Sequence, residues 1–288
     1  QLTLNCTDIW VGVIAVSTPL ETWNAMTLDQ KRPYHERWAE SIEQYVMEGR
    51  APSVELQPLM RRFAAWLKSV YGSIKQFLAS RGYVVIQPEF RGSMGYGEQH
   101  YRSGWKQWGQ AMQDDVTDAT RWAIAQGLAD PARVCIAGAS YGGYATLMGL
   151  LREPALYRCG IEWVGVTDPD LLFSVGWSDM TEEARRHGLA RMVGDPVRDA
   201  QRLREVSPLH LAGRIVQPLL MAYGGLDRRV PLVHGEKLRD ALRQAGHPPE
   251  WVVYPNEGHG WSRLETRVDF WNRVDAFLAK HLAAGTAR

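Results

Sequence analysis

The chain is short of cysteine, of basic runs and of long apolar stretches, and each shortage removes a class of protein. Its three cysteines, Cys6, Cys135 and Cys159, are too few for a disulfide-built fold, and the odd count leaves at least one thiol unpaired. Cys135 and Cys159 sit in apolar runs and read as small buried thiols rather than a redox pair. No basic run exceeds two residues, and 33 Lys+Arg against 32 Asp+Glu leave a formal net charge of +1. Such a balance provides no overall field toward nucleic acid or an anionic membrane, so neither is expected as a partner. No stretch of about 18 apolar residues is available to span a bilayer. The start shows no charged segment followed by an apolar leader core. It opens on Gln1 rather than Met, which leaves room for a leader or a preceding domain and leaves the compartment open. No His, Cys and carboxylate cluster has metal-ligand spacing, so no metal is expected.

What is present is a large apolar fraction, 45% against 23% charged, enough for a substantial core in 288 residues. From Tyr83 onward short apolar runs alternate with helical patterns. The runs are Tyr83–Pro88, Arg133–Ala137, Gly160–Val166, Pro218–Tyr223 and Trp251–Tyr254. Near-continuous rather than alternating apolarity suits strands buried on both faces of a parallel sheet. Helices are expected over about 110–127, 141–152, 198–206, 232–245 and 264–283. The last carries Val268, Trp271, Val274, Phe277 and Leu278 as its apolar side. This alternation predicts an α/β fold: a doubly wound, mostly parallel sheet with helices on both faces. The first residues read differently. Residues 1–52 form an N-terminal segment with a strand over Asp8–Val16 and a helix from Pro33 to Met47 ending at Gly49. Residues 53–288 form the main domain, opening with a long helix from Ser53 to Ser80 that Gly72 interrupts.

The strongest chemical signal is Gly138-Ala139-Ser140-Tyr141-Gly142, directly after an apolar strand and before a helix. A serine at the tip of a sharp strand-to-helix turn is strained and exposed, and flanking glycines relieve the crowding around it. The turn aims the helix N-terminus at the hydroxyl and offers the Tyr141 N–H to a developing oxyanion. A serine hydroxyl needs a base, and the base needs an orienting carboxylate. In the α/β-hydrolase fold the chain order is serine, acid, histidine. Asp227 and His259 meet that order, each in a loop after an apolar run, where open α/β sheets gather their reacting groups. Asp168 and Asp170, after the run at 160–166, are alternatives for the acid. Glu257 reads as a hydrogen-bond acceptor that steadies the His259 loop. His35, His100, His187, His210, His234, His247 and His281 fall in helical or polar segments and read as solvated. A nucleotide-binding reading fails: the glycines of 138–143 and of Arg91–Gly97 do not sit on a first βα turn, and Tyr71 and Lys75 precede any such turn.

Phe77–Tyr83, the run Arg91-Gly92-Ser93-Met94-Gly95-Tyr96-Gly97, Asp114-Asp115-Val116, Gly138–Tyr144, Asp227–Pro231 and Glu257–Gly260 together resemble the catalytic domain of the prolyl oligopeptidase family of serine peptidases. The resemblance covers about residues 76–283, with several motifs in the family's order. It implies Ser140, Asp227 and His259 as a catalytic triad, a short peptide or aminoacyl ester as substrate, and no cofactor. It also implies Phe173 and Trp177, with Tyr141, as pocket lining. Two family features are not found here. A β-propeller normally precedes this domain, and 288 residues leave no room for one. A His-Gly-Gly-Pro-like loop that shapes the oxyanion hole does not occur before Phe77, and Tyr71 is the polar side chain nearest its place. Two functional classes therefore follow: a serine hydrolase of short peptides or aminoacyl amide and ester bonds, or an esterase-like or catalytically weak relative that acts by binding.

Overall fold

The computed structural model describes residues 10–16, 77–175 and 184–283. The apolar runs become strands: β1 (Trp10–Val16), β2 (Tyr83–Ile86), β3 (Val134–Ala139), β4 (Cys159–Trp163), β5 (Leu219–Gly224) and β6 (Glu250–Tyr254). They form one sheet in the order β2-β1-β3-β4-β5-β6. From β3 to β6 every pairing is parallel. β1 is antiparallel to both neighbours, with Val13 opposite Ile86 on one side and Ile136 on the other. It is thus the single reversed strand among the six, and the sheet is mostly parallel as expected.

Alternate residues of β3 explain why its sequence shows no polar face. Val134 and Ile136 pack into one buried cluster, and Cys135 and Ala137 into a second on the opposite side of the sheet. Side chains of a strand point to opposite faces in turn, so a sheet covered on both sides needs apolar residues at every position. The first face is covered by α1 (Ala111–Ala125), α2 (Tyr141–Arg152) and α3 (Val233–Gln244). The second is covered by α4 (Leu264–His281) and by the helical end at residues 77–80, where Leu78 is fully buried. Burying a side chain such as Phe270 or Phe277 stabilises the fold by about 1.5–3 kcal/mol. This is the α/β-hydrolase arrangement.

Two sequence expectations about the fold need correction. The inward stripe of α4 runs through Phe270, Val274, Phe277 and Leu278, whereas Val268 is 52% exposed. At 3.6 residues per turn Val268 stands about 200° around the helix from Phe270, so both cannot face the sheet. Cys135 and Cys159, read as separate thiols, are register partners on adjacent strands with Cα atoms 4.8 Å apart, and they are joined as a disulfide. Strand pairing supplied a proximity that a separation of 24 residues conceals. The short helices Glu98–Ser103 and Leu171–Ser174 were not expected at all. The helix over Pro33–Met47, most of the one over Ser53–Ser80, and the boundary at residue 52 lie outside the described residues. β1, from the segment before that boundary, occupies the interior of the sheet.

Candidate active site

β3 ends at Ala139 and α2 begins at Tyr141, so Ser140 alone makes the turn. It does so at φ 58° and ψ −117°, a conformation an L-residue adopts only when its surroundings impose it. The turn after β4 supplies that constraint: Ser140 N–H donates to Trp163 O (3.1 Å), and Val166 N–H donates to Ser140 O (3.3 Å). Close packing is needed one position beyond the expected glycines. A Cβ on Gly143 would lie 2.6 Å from Gly165 Cα, so the first turn of α2 rests directly on the 163–166 backbone.

The loops after β5 and β6 are pressed together. Side chains at Gly224 and Gly225 would strike the backbone of Glu257 and Gly258 and that of Pro255 respectively. Leu226 N–H donates to Glu257 O (2.9 Å) across the same contact. Asp227 is 1% exposed, and its Oδ1 accepts from the N–H groups of Arg229 (2.8 Å) and Val230 (3.0 Å). Its Oδ2 lies 2.7 Å from His259 Nδ1, and His259 Nε2 lies 2.9 Å from Ser140 Oγ. With the Nδ1 proton directed at Asp227, Nε2 is left as the acceptor for the serine hydroxyl. The three residues expected to work together therefore stand in one hydrogen-bonded line at the carboxyl ends of β3, β5 and β6.

Glu257 is buried and holds the His259 loop. Its carboxylate accepts from Ser262 N–H (2.8 Å), the Ser262 hydroxyl (2.7 Å) and Arg263 N–H (3.0 Å). Burial pushes its pKa up, but these donors outweigh burial and hold it below the ordinary glutamate value.

The alternative acids are not brought to His259. Asp168 Oδ2 instead lies 4.0 Å from His210 Nε2. Asp168, Asp170 and His210 offer ligand atoms within 4.8 Å of one another, a grouping that sequence spacing did not suggest. His234, read as solvated, is fully buried and receives the Thr167 N–H at Nδ1 (3.3 Å). Burial lowers its pKa to about 3. The Arg91–Gly97 loop is tied to α1 through Arg91 and Asp115. Arg91 donates from its N–H, Nε and Nη2 to Asp115 at 2.8, 2.8 and 2.6 Å.

Of the expected pocket residues, Phe173 lies half-buried on Leu171–Ser174, packed against the main core, and Trp177 falls outside the described residues, as does Tyr71. The Tyr141 ring is buried among Phe90 (5.4 Å between ring centroids) and Trp108 (4.6 Å), and its backbone opens α2 directly after Ser140. Sequence reading passed over Glu162 on β4, which is fully buried. Its signal was a lone carboxyl inside an otherwise apolar run.

The Prolyl oligopeptidase family profile matches residues 69–285. The chain belongs to the prolyl oligopeptidase family. It is 39% identical over 217 residues to dipeptidyl aminopeptidase BIII of Pseudoxanthomonas mexicana, covering 74% of this chain and 31% of that protein. It is 32% identical over 219 residues to dipeptidyl peptidase family member 6 of Caenorhabditis elegans, covering 75% of this chain and 29% of that protein. Among solved structures, a puromycin-hydrolyzing peptidase of Mycobacterium tuberculosis superposes with a TM-score of 0.67 at 27% identity, over 72% of this chain and 31% of that one. The chain spans under a third of the length of these curated relatives.

Proposed function

We propose that this chain is a serine hydrolase that cleaves short peptide or aminoacyl amide and ester bonds through an acyl-enzyme on Ser140. The observation that carries the reading is the continuous line from Ser140 Oγ through His259 to Asp227. His259 takes the hydroxyl proton at Nε2 as Oγ attacks the substrate carbonyl, and Asp227 stabilises the imidazolium that forms. The tetrahedral oxyanion develops beside the N-terminus of α2, where the Tyr141 N–H is its donor. Collapse of that intermediate expels the amine or alcohol, which receives the proton from His259. Water then enters by the same route in reverse and releases the acid. The peptide or aminoacyl substrate follows from family membership and from relatives named as dipeptidyl aminopeptidase and acylamino-acid-releasing enzyme.

A second reading, an esterase, has its own support. A putative carboxymethylenebutenolidase of Methylorubrum extorquens is 27% identical over 177 residues, covering 59% of this chain and 50% of that protein. Activated esters also need less oxyanion stabilisation than amides, and no second donor was found in the sequence before Phe77. A fluorophosphonate is expected to label Ser140 alone, with Ser140→Ala abolishing the adduct; an adduct mapped to another serine overturns the assignment. Turnover of a matched p-nitrophenyl ester and peptide amide then separates the readings. Amide kcat within roughly 1–10³ s⁻¹ supports the peptidase. Ester turnover without amide turnover supports the esterase, and labelling without turnover of either supports a binding role.

A further inference from the structure

Glu162 lies in β4, fully buried between Gly138 of β3 and Met221 of β5. Its Oε2 accepts the Gly165 N–H at 3.1 Å, while Oε1 meets no partner. The other polar group of Gly165, its carbonyl, accepts the Tyr223 hydroxyl at 2.8 Å. Gly165 is thus gripped at both ends within the turn that constrains the serine, since Trp163 O and Val166 N–H hold the two backbone groups of Ser140. The same turn contains Val164 at φ 46°, a conformation that a β-branched residue takes only under constraint. Two strained non-glycine residues, Ser140 and Val164, therefore depend on one short turn, and the Glu162 carboxyl is wedged beneath it. That carboxyl lies 3.2 Å from where a Gly143 Cβ would stand, directly under the first turn of α2.

We propose that Glu162 is a positioning residue of the Ser140 site: its neutral carboxyl pins the 163–166 turn, and loss of its proton frees that turn and the serine with it. The inference rests on the acyl-transfer reading of Ser140. An ionised carboxylate offers about four acceptor sites, and here the backbone fills one. A charge so poorly supplied must draw in water or a new donor, which the turn can admit only by moving. Burial raises the Glu162 pKa to about 8, against the lowering influence of the Gly165 N–H and of the nearby Tyr223 hydroxyl, whose proton is directed to Gly165 O. Tyr223 is the titratable group facing it from β5, and its own pKa is driven well up by burial and then by Glu162, with Asp227 acting on it from beyond. β3 faces the carboxyl with Gly138, the turn with Gly165 and α2 with Gly143, none of which titrates.

The test is the rate of fluorophosphonate labelling at Ser140 between pH 6 and 10, in the wild type and in Glu162→Gln, which keeps the shape but cannot ionise. The wild-type rate is expected to fall about tenfold from pH 7 to pH 9 with an apparent pKa near 8, as for loss of one essential proton. In Glu162→Gln that ratio should stay close to one. A wild-type rate that does not fall, or an equal fall in both proteins, overturns the proposal. No labelling of Ser140 at any pH in either protein instead removes the acyl-transfer reading, and this proposal with it. Stability supplies a second readout. Because the folded-state pKa lies above the unfolded one, the native chain holds a proton that the unfolded chain has released between about pH 4.5 and 8, so stability falls with rising pH across that window. Glu162→Gln should flatten that part of the pH–Tm curve. Should the variant not fold, the infrared band of a protonated buried carboxyl in the wild type at pH 7 decides, and its absence overturns the proposal.

Discussion

The ends of β4 and β5 lie side by side and each buries a carboxyl, yet the two sites are provisioned in opposite ways. Asp227 has two backbone N–H groups on one oxygen and His259 on the other. Glu162 has a single N–H and an oxygen with no partner. Burial is nearly the same, at 1% and 0% exposed, so what differs is the supply of donors. The β5 loop turns its backbone inward around Asp227 and so suits a carboxylate that must stabilise a transient imidazolium. The β4 end uses its backbone to clamp Ser140 and leaves little for Glu162. Two neighbouring acids, equally buried, thus meet opposite supplies of hydrogen-bond donors.

The largest effect should come from breaking the better-supplied side. Asp227→Asn should leave the fold intact and lower ester kcat by up to roughly 10⁴, the scale seen when a serine protease loses its triad aspartate. Near-normal turnover would show that the histidine finds its partner elsewhere. Gly143→Ala tests the contact between the two strand ends. Its Cβ would meet Gly165 backbone and the Glu162 carboxyl, so the variant should lose about 1–3 kcal/mol in urea denaturation and label more slowly at Ser140. Unchanged labelling would show that the elbow does not rest on the 163–166 turn.

Glu257→Ala probes the His259 loop at a similar scale. It strands the N–H groups of Ser262 and Arg263, with an expected cost of about 1–3 kcal/mol at pH 7. The Glu257 pKa is depressed, so the stability due to its charge is present above its unfolded value of about 4.5 and is lost as pH falls through the folded one. The difference between wild type and variant should therefore shrink on acidification; a difference that grows would contradict the assignment. Tyr223→Phe should have the smallest effect. It removes the hydroxyl that bonds Gly165 O, at about 1 kcal/mol by thermal denaturation, and leaves Asp227 with all three of its partners. A loss of turnover as large as that of Asp227→Asn would mean that the two strand ends are not separable.

Much of the site could be read from the chain because its chemistry follows strands. Ser140, Asp227 and His259 each come just after a run of residues too apolar to be anything but buried strand, and loops at strand ends are where such folds place reacting groups. The sequence favoured Asp227 as the acid and kept Asp168 and Asp170 as alternatives, since all three follow strands. Sheet order adds the reason for the proximity of Asp227 and His259: β6, whose following loop carries His259, pairs with β5 and not with β4. Similarly, His234 looked like a surface residue because its helical segment is polar, and only the packing of α3 against Thr167 buries it.

The sequence by itself determined the α/β class, the strand-to-helix turn at Ser140 and the chain order of Ser140, Asp227 and His259. These depend on apolar runs, glycine positions and residue type, which are local properties. The tertiary structure alone decided that β1 enters the sheet reversed between β2 and β3, that Cys135 meets Cys159, and that Glu162 stands beneath the turn that holds Ser140. Each of these is a matter of which distant segments become neighbours. Strand order and burial set the donors, charges and contacts a side chain meets, and no local pattern of residues encodes them.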